Sequence, residues 1–172
     1  LVAGQRAVSL SETLQNVPLN THARGKLVHW LSIIEGYRPE YCHDYENAMS
    51  LARQTDDVAL KCTHSLLYIY YLVITSNYSK ASSIALETQN FAKTAGDANS
   101  YLGSIFFQAW SSFYLGQWDE MAQLIDSALS LAEKNAQAHW SMHLRLQKAW
   151  LLLHTQDWSQ VNELVEPIYQ QN

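Results

Sequence analysis

Proline, glycine and cysteine are scarce, at 3, 6 and 2 of 172 residues. So few turn formers exclude a fold built from many short strands joined by tight turns. Two cysteines, Cys42 and Cys62, make no disulfide framework, and a cytoplasmic location is the expectation. Charge is sparse too. With 16% charged, 48% hydrophobic and 12% aromatic residues, intrinsic disorder is excluded. The net charge of −5, with no Lys/Arg-rich stretch, speaks against direct nucleic-acid binding. The longest apolar run, Leu66 to Ile74, is about half of what a membrane span needs, so no membrane partner is expected. No basic start leads into an apolar core, so no secretory signal is read. The six glycines are nowhere clustered, which leaves no phosphate-binding loop and no expected cofactor. The opening Leu1-Val2-Ala3, in helix-like sequence, suggests a piece of a longer protein.

What is present is helical periodicity. The pattern predicts helices over 2–16, 20–35, 39–54, 57–75, 78–95, 98–115, 118–134, 136–155 and 158–170. Leu102, Phe106, Ala109, Trp110 and Phe113 share one face, as do Met142, Leu146, Ala149, Trp150 and Leu153. Met121, Leu124, Ile125, Ala128, Leu131 and Ala132 form another stripe. After Pro18, Asn20 and Thr21 are expected to cap the second helix, and Asp56, Asp97 and Asp157 later ones. Gly36 and Pro39 bracket a turn, and Gly96 and Gly116 stand where helices end. Short loops imply antiparallel neighbours.

A repeat underlies the pattern. Trp30, Tyr70, Trp110 and Trp150 are spaced by 40 residues each time. Tyr37, Tyr78, Trp118 and Trp158 follow the intervening turns at spacings of 41, 40 and 40. Ala109-Trp110 and Ala149-Trp150 are the same dipeptide one unit apart. Each unit is thus a helix, a tight turn and a second helix, and stacked units are needed to bury the apolar faces.

Gly116-Gln117-Trp118-Asp119-Glu120-Met121 resembles the turn between the two helices of a tetratricopeptide repeat. Ala81 after Tyr78 matches the alanine that closes this pattern, whereas Met121 and Val161 depart from it. Ala109, Ala128 and Ala149 fall where the family carries small residues. The period of 40 exceeds the family's usual ~34, and the closing proline is missing. The resemblance implies an all-α, right-handed superhelical solenoid of antiparallel helix pairs. It would form one domain over 1–172, with a leading helix 1–18 and repeats at 19–56, 57–96, 97–135 and 136–172. Longer divergent repeats of this kind are similar to those of maltose-activator-like (LuxR-type) bacterial regulators and of signalling NTPases.

Chemistry is thin. His139 and His143 are four apart on a helix, but a zinc site needs further ligands, and none is evident. Cys42-His43-Asp44 and Cys62-Thr63-His64 lack a nucleophile elbow, and Cys62 is expected to pack as a small hydrophobe. No catalytic or metal residue is assigned, and the chain is not expected to be an enzyme. The ladder Trp30, Tyr70, Trp110 and Trp150 has two readings. Aromatic stripes at helical spacing are usually core, which is the expectation for Trp110, with an edge at the concave surface. Alternatively the ladder, with His143 and His154, lines a concave groove that takes a partner. That partner would be a protein or peptide segment, or another domain of the same chain. A small-molecule inducer is the second possibility.

Overall fold

A computed structural model describes residues 2–155 and 158–169. Among them the elements are α1 (Val2–Thr13), α2 (Val17–Glu35), a 3-10 turn (Pro39–Tyr41), α3 (Cys42–Arg53), α4 (Val58–Ile74), α5 (Tyr78–Ala95), α6 (Ala98–Tyr114), α7 (Trp118–Lys134), α8 (Ala138–His154) and α9 (Trp158–Tyr169). No strand is found among the described residues. No helix there is long and apolar enough to cross a membrane. Gln156, Asp157 and the side chain of Trp158 lie outside the described residues, and with them the cap expected at Asp157 and the last turn of the Trp158 register.

The turns are built from one device. The N–H of Asn77 donates to the carbonyl of Leu72 at 2.7 Å, Asp97 to Ala92 at 2.9 Å, Gln117 to Ser112 at 2.8 Å and Gln137 to Ala132 at 2.8 Å. Each bond closes a helix end around one left-handed residue: Ser76 at φ 62°, Gly96 at 69°, Gly116 at 75° and Ala136 at 53°. Asn16 and Ser11 repeat the device around Gln15, at φ 50° and an N···O distance of 3.1 Å. The donor is also the cap of the next helix, so two or three residues suffice to reverse the chain. Asp97 adds a side-chain bond, accepting from the N–H of Ser100 at 3.0 Å.

Two expected caps are corrected. Asp57, not Asp56, accepts from the N–H of Leu60. Asn16, not Asn20 or Thr21, caps α2, because Pro18 is tolerated in the first turn of that helix rather than before it. Asn20 and Thr21 are instead buried inside α2, where Asn20 Nδ2 donates to Ser11 Oγ and Thr21 Oγ1 to the carbonyl of Val17. Around Gly36, at φ 90° and ψ 162°, the chain makes a longer turn into Pro39, which explains the spacing of 41 in the first unit.

Consecutive helices pack against each other. In addition α2, α4, α6 and α8 pack each on the next and form an inner row, whereas the outer helices meet mainly their chain neighbours. Close approach within the row rests on small residues. A Cβ on Gly25 would collide with the His64 ring, and one on Gly103 would stand 3.0 Å from Trp140 and 3.5 Å from Leu66. Ala109 and Ala149 are buried on helices of the same row, and Ala81, Ala128 and Cys62 are buried too.

One core cluster joins α2 to α5 around Tyr45, Tyr68 and Tyr71, whose rings stack with centroids 4.7 Å apart for Tyr45–Tyr71 and 6.2 Å for Tyr45–Tyr68. Their hydroxyls stay paired. Tyr68 donates to Glu46 at 2.8 Å, Tyr71 to the Arg38 carbonyl at 2.7 Å and Tyr45 to Ser32 at 3.3 Å. Burial, and then the Glu46 carboxylate, raise the Tyr68 hydroxyl far above its ordinary range. The second cluster joins α6 to α8 around Leu102, Ile105, Met121, Ile125, Leu144 and Leu151.

Two predictions follow from this architecture. Left-handed backbone costs a side chain about 1–2 kcal/mol, so Gly116→Val lowers stability by about that much and Ala136→Gly raises it by up to about 1 kcal/mol, read from urea midpoints. His64 is buried against Gly25 with both ring nitrogens unpartnered. Burial first, then His22 and Lys26, hold it down at about 4. The unfolded chain therefore binds a proton there that the folded chain refuses. Stability is fully present above pH ~6.5 and drains away as pH falls toward 4, and His64→Leu flattens that limb of the pH–stability curve.

Candidate binding surface

The 20-residue turn spacing brings residues 40 apart to matching places on successive inner helices. Two ladder residues lean on the unit before them. Tyr70 on α4 meets His29 and Tyr37 at 6.3 and 5.7 Å. Trp150 on α8 meets Trp110 and Phe113 at 6.3 and 6.4 Å. Exposure is graded along the ladder. Trp30 is 58% and Trp150 49% exposed, and Tyr70 and Trp110 are only half-buried. The stripe of Met142, Leu146, Trp150 and Leu153 is likewise exposed, with Ala149 alone buried, because no inner helix follows α8 among the described residues.

A second ladder, one turn further along, escaped the sequence reading except for His154. Ile34, Ile74, Tyr114 and His154 share the 40-residue spacing and are all exposed. Their mixed chemistry hides the register that the Trp and Tyr positions display.

The two ladders bound a trough between α4 and α6, with a volume of about 400 Å³. Its walls are Tyr70, Val73 and Ile74 of α4, Tyr78 at the start of α5, and Phe106, Phe107, Trp110 and Tyr114 of α6. Tyr114 stacks on Tyr78 at 4.6 Å and on Trp110 at 5.9 Å, at interplanar angles of 12° and 17°. No charged side chain lines it. Tyr78 donates its hydroxyl to Ser76 at 3.2 Å. Among the described residues, no acceptor is paired with Trp110 Nε1 or Tyr114 Oη. The packing residue Trp140 differs: its Nε1 donates to Asn99 Oδ1 at 2.7 Å.

The remaining candidates separate. Trp30 borders a different hollow of about 480 Å³ between α1 and α2, with Gly4, Ala7, His22, Ala23, Lys26 and Leu27, because α2 is first in the inner row. His154 lies beyond the trough, 4.5 Å from Trp118 and 5.2 Å from Phe113. His143 is half-buried between α6 and α8, with its ring 5.7 Å from Phe106 and 4.4 Å from His139. Burial, and then His139, lower its pKa. Among the described residues no group of three or more His, Cys, Asp and Glu is placed to hold a metal ion. Cys42 lies 3.7 Å from the Tyr68 hydroxyl and Cys62 in a separate buried position, so neither joins a nucleophile–base pair.

Exposure sets the cost of truncation. Trp30→Ala changes stability by less than about 1 kcal/mol. Trp110→Ala, which loses half a burial, costs about 2 kcal/mol, short of the ~3–5 kcal/mol of a fully buried tryptophan. Chemical denaturation of the two variants checks both values.

No protein-family model matches the chain, and no curated protein matches it. Among solved structures it is similar to the crystal structure of BtubC (BKLC) from P. vanneervenii, with a TM-score of 0.79 and 14% identity over 96% of this chain and 69% of that one. At that identity the likeness shows an all-helical fold shared in its arrangement, and nothing of activity.

Proposed function

We propose that this chain is a non-catalytic interaction module of the tetratricopeptide type, working in the cytoplasm inside a larger bacterial transcriptional regulator or signalling protein. Its inner face would bind a protein segment or another domain of the same protein. The observation that carries this reading is the uncharged aromatic trough between α4 and α6, with rings and hydrogen-bond donors left open at the surface. Contiguous exposed apolar surface of this kind is a mark of interaction sites, and Tyr and Trp are favoured anchors there. The packing of α2, α4, α6 and α8 on one another supports a course that curves toward the inner face, as a right-handed superhelix does. A second reading is a small-molecule sensor of the maltose-activator kind. It is favoured by the size of the trough, which falls in the ~300–1,000 Å³ range of small-ligand pockets.

Peptide-display selection against the chain tests the first reading. Enriched peptides should lose binding to a Trp110→Ser/Tyr114→Ser variant and keep binding to Leu86→Ser, which changes an exposed residue on α5. Peptides that bind both variants equally would contradict it. A melting temperature raised by saccharides, in a chain that enriches no peptide, would favour the sensor.

A further inference from the structure

We infer that the trough between α4 and α6 takes an extended, proline-rich peptide segment. This rests on the reading of the inner face as a peptide-binding surface and names the class of peptide. Charge comes first. The walls carry no Lys, Arg, Asp or Glu, so neither an acidic nor a basic motif is recognised there. The polar complement is small. Trp110 Nε1 can only donate, and Tyr114 Oη has a proton to give. No carboxylate or amide side chain stands among the walls, and the hydroxyls of Tyr70, Tyr78 and Tyr114 can both donate and accept.

The open indole N–H and the ring faces around it select among occupants. An α-helix has already used its backbone carbonyls internally and offers few acceptors along its length. A polyproline-type segment has free carbonyls, no N–H at each proline, and flat ring faces that pack on aromatic side chains. Its repeat also fits. One turn of three residues advances about 9 Å, and neighbouring packed helices lie roughly 8–10 Å apart. Prolines one turn apart therefore reach successive positions across the inner row, with one ring seated between Tyr70 and Trp110.

Isothermal titration calorimetry with a synthetic ten-proline peptide tests this. A glycine-serine peptide of equal length and an amphipathic helical peptide serve as comparisons. The ten-proline peptide should bind and the glycine-serine peptide should not. Trp110→Phe keeps a ring and removes the N–H, and should weaken binding about fivefold. Tyr114→Ala should weaken it at least about tenfold. Leu86→Ala should leave it unchanged, and circular dichroism should show all three variants helical. Binding of the helical peptide but not of ten prolines would overturn the proline assignment while leaving the inner face as a peptide site. Ten-proline binding that both trough variants leave intact would place the occupant elsewhere and overturn it too. Failure of all the peptides to bind would also overturn it, and the display selection then judges the broader reading separately.

Discussion

The structure depends on a single backbone constraint, the left-handed residue that closes a helix end and hands the chain to the next cap. Its bond recurs at the carbonyls of residues 72, 92, 112 and 132, twenty residues apart. Because each helix in that stretch starts in the same phase, side chains 40 residues apart point the same way. One inserted residue would turn everything after it by about 100° about a helix axis. The stacking of Trp150 against Trp110, the placing of Gly103 under Trp140, and the bond from Gln147 Nε2 to the Phe106 carbonyl at 2.9 Å all depend on that phase.

The phase divides the aromatics into two populations. Tyr45, Tyr68 and Tyr71 sit in the core of α2 to α5 with each hydroxyl hydrogen-bonded, as buried polar groups require. Trp110 and Tyr114 sit on the exposed face of α6 with donors open, and stack on one another. Open donors cost nothing where water can reach them. They separate this water-facing surface from the packing face, where every tyrosine hydroxyl has a partner.

Much of this was legible in the sequence. Helix boundaries from α5 to α7 fall within a residue of the periodic pattern, because these helices are bounded by strong signals such as Gly96, Asp97 and Gly116. The first units are harder to read, since Gly36 and Pro39 make an irregular turn and Pro18 lies inside a helix rather than before it. Burial of the ladder was not legible. Apolar periodicity states that a face avoids water, but not whether a neighbouring helix covers it. Phe106 and Leu146 occupy equivalent positions; Phe106 is covered by Trp140 and His143 of the next inner helix, while Leu146 has no such helix after it among the described residues and is exposed. The missed ladder of Ile34, Ile74, Tyr114 and His154 shows the same limit, because register survives there while residue type does not.

The central claim is that a repeat-phased aromatic face stands open on the inner row while the tyrosine core stays closed. Photochemically induced nuclear polarisation, which marks only the Trp, Tyr and His rings that a dye can touch, measures this directly. Trp30, Tyr114 and Trp150 should give strong signals, Trp110 a weaker one, and Tyr45, Tyr68 and Tyr71 none. Silent Tyr114 and Trp150 rings, or polarised core tyrosines, would contradict the account.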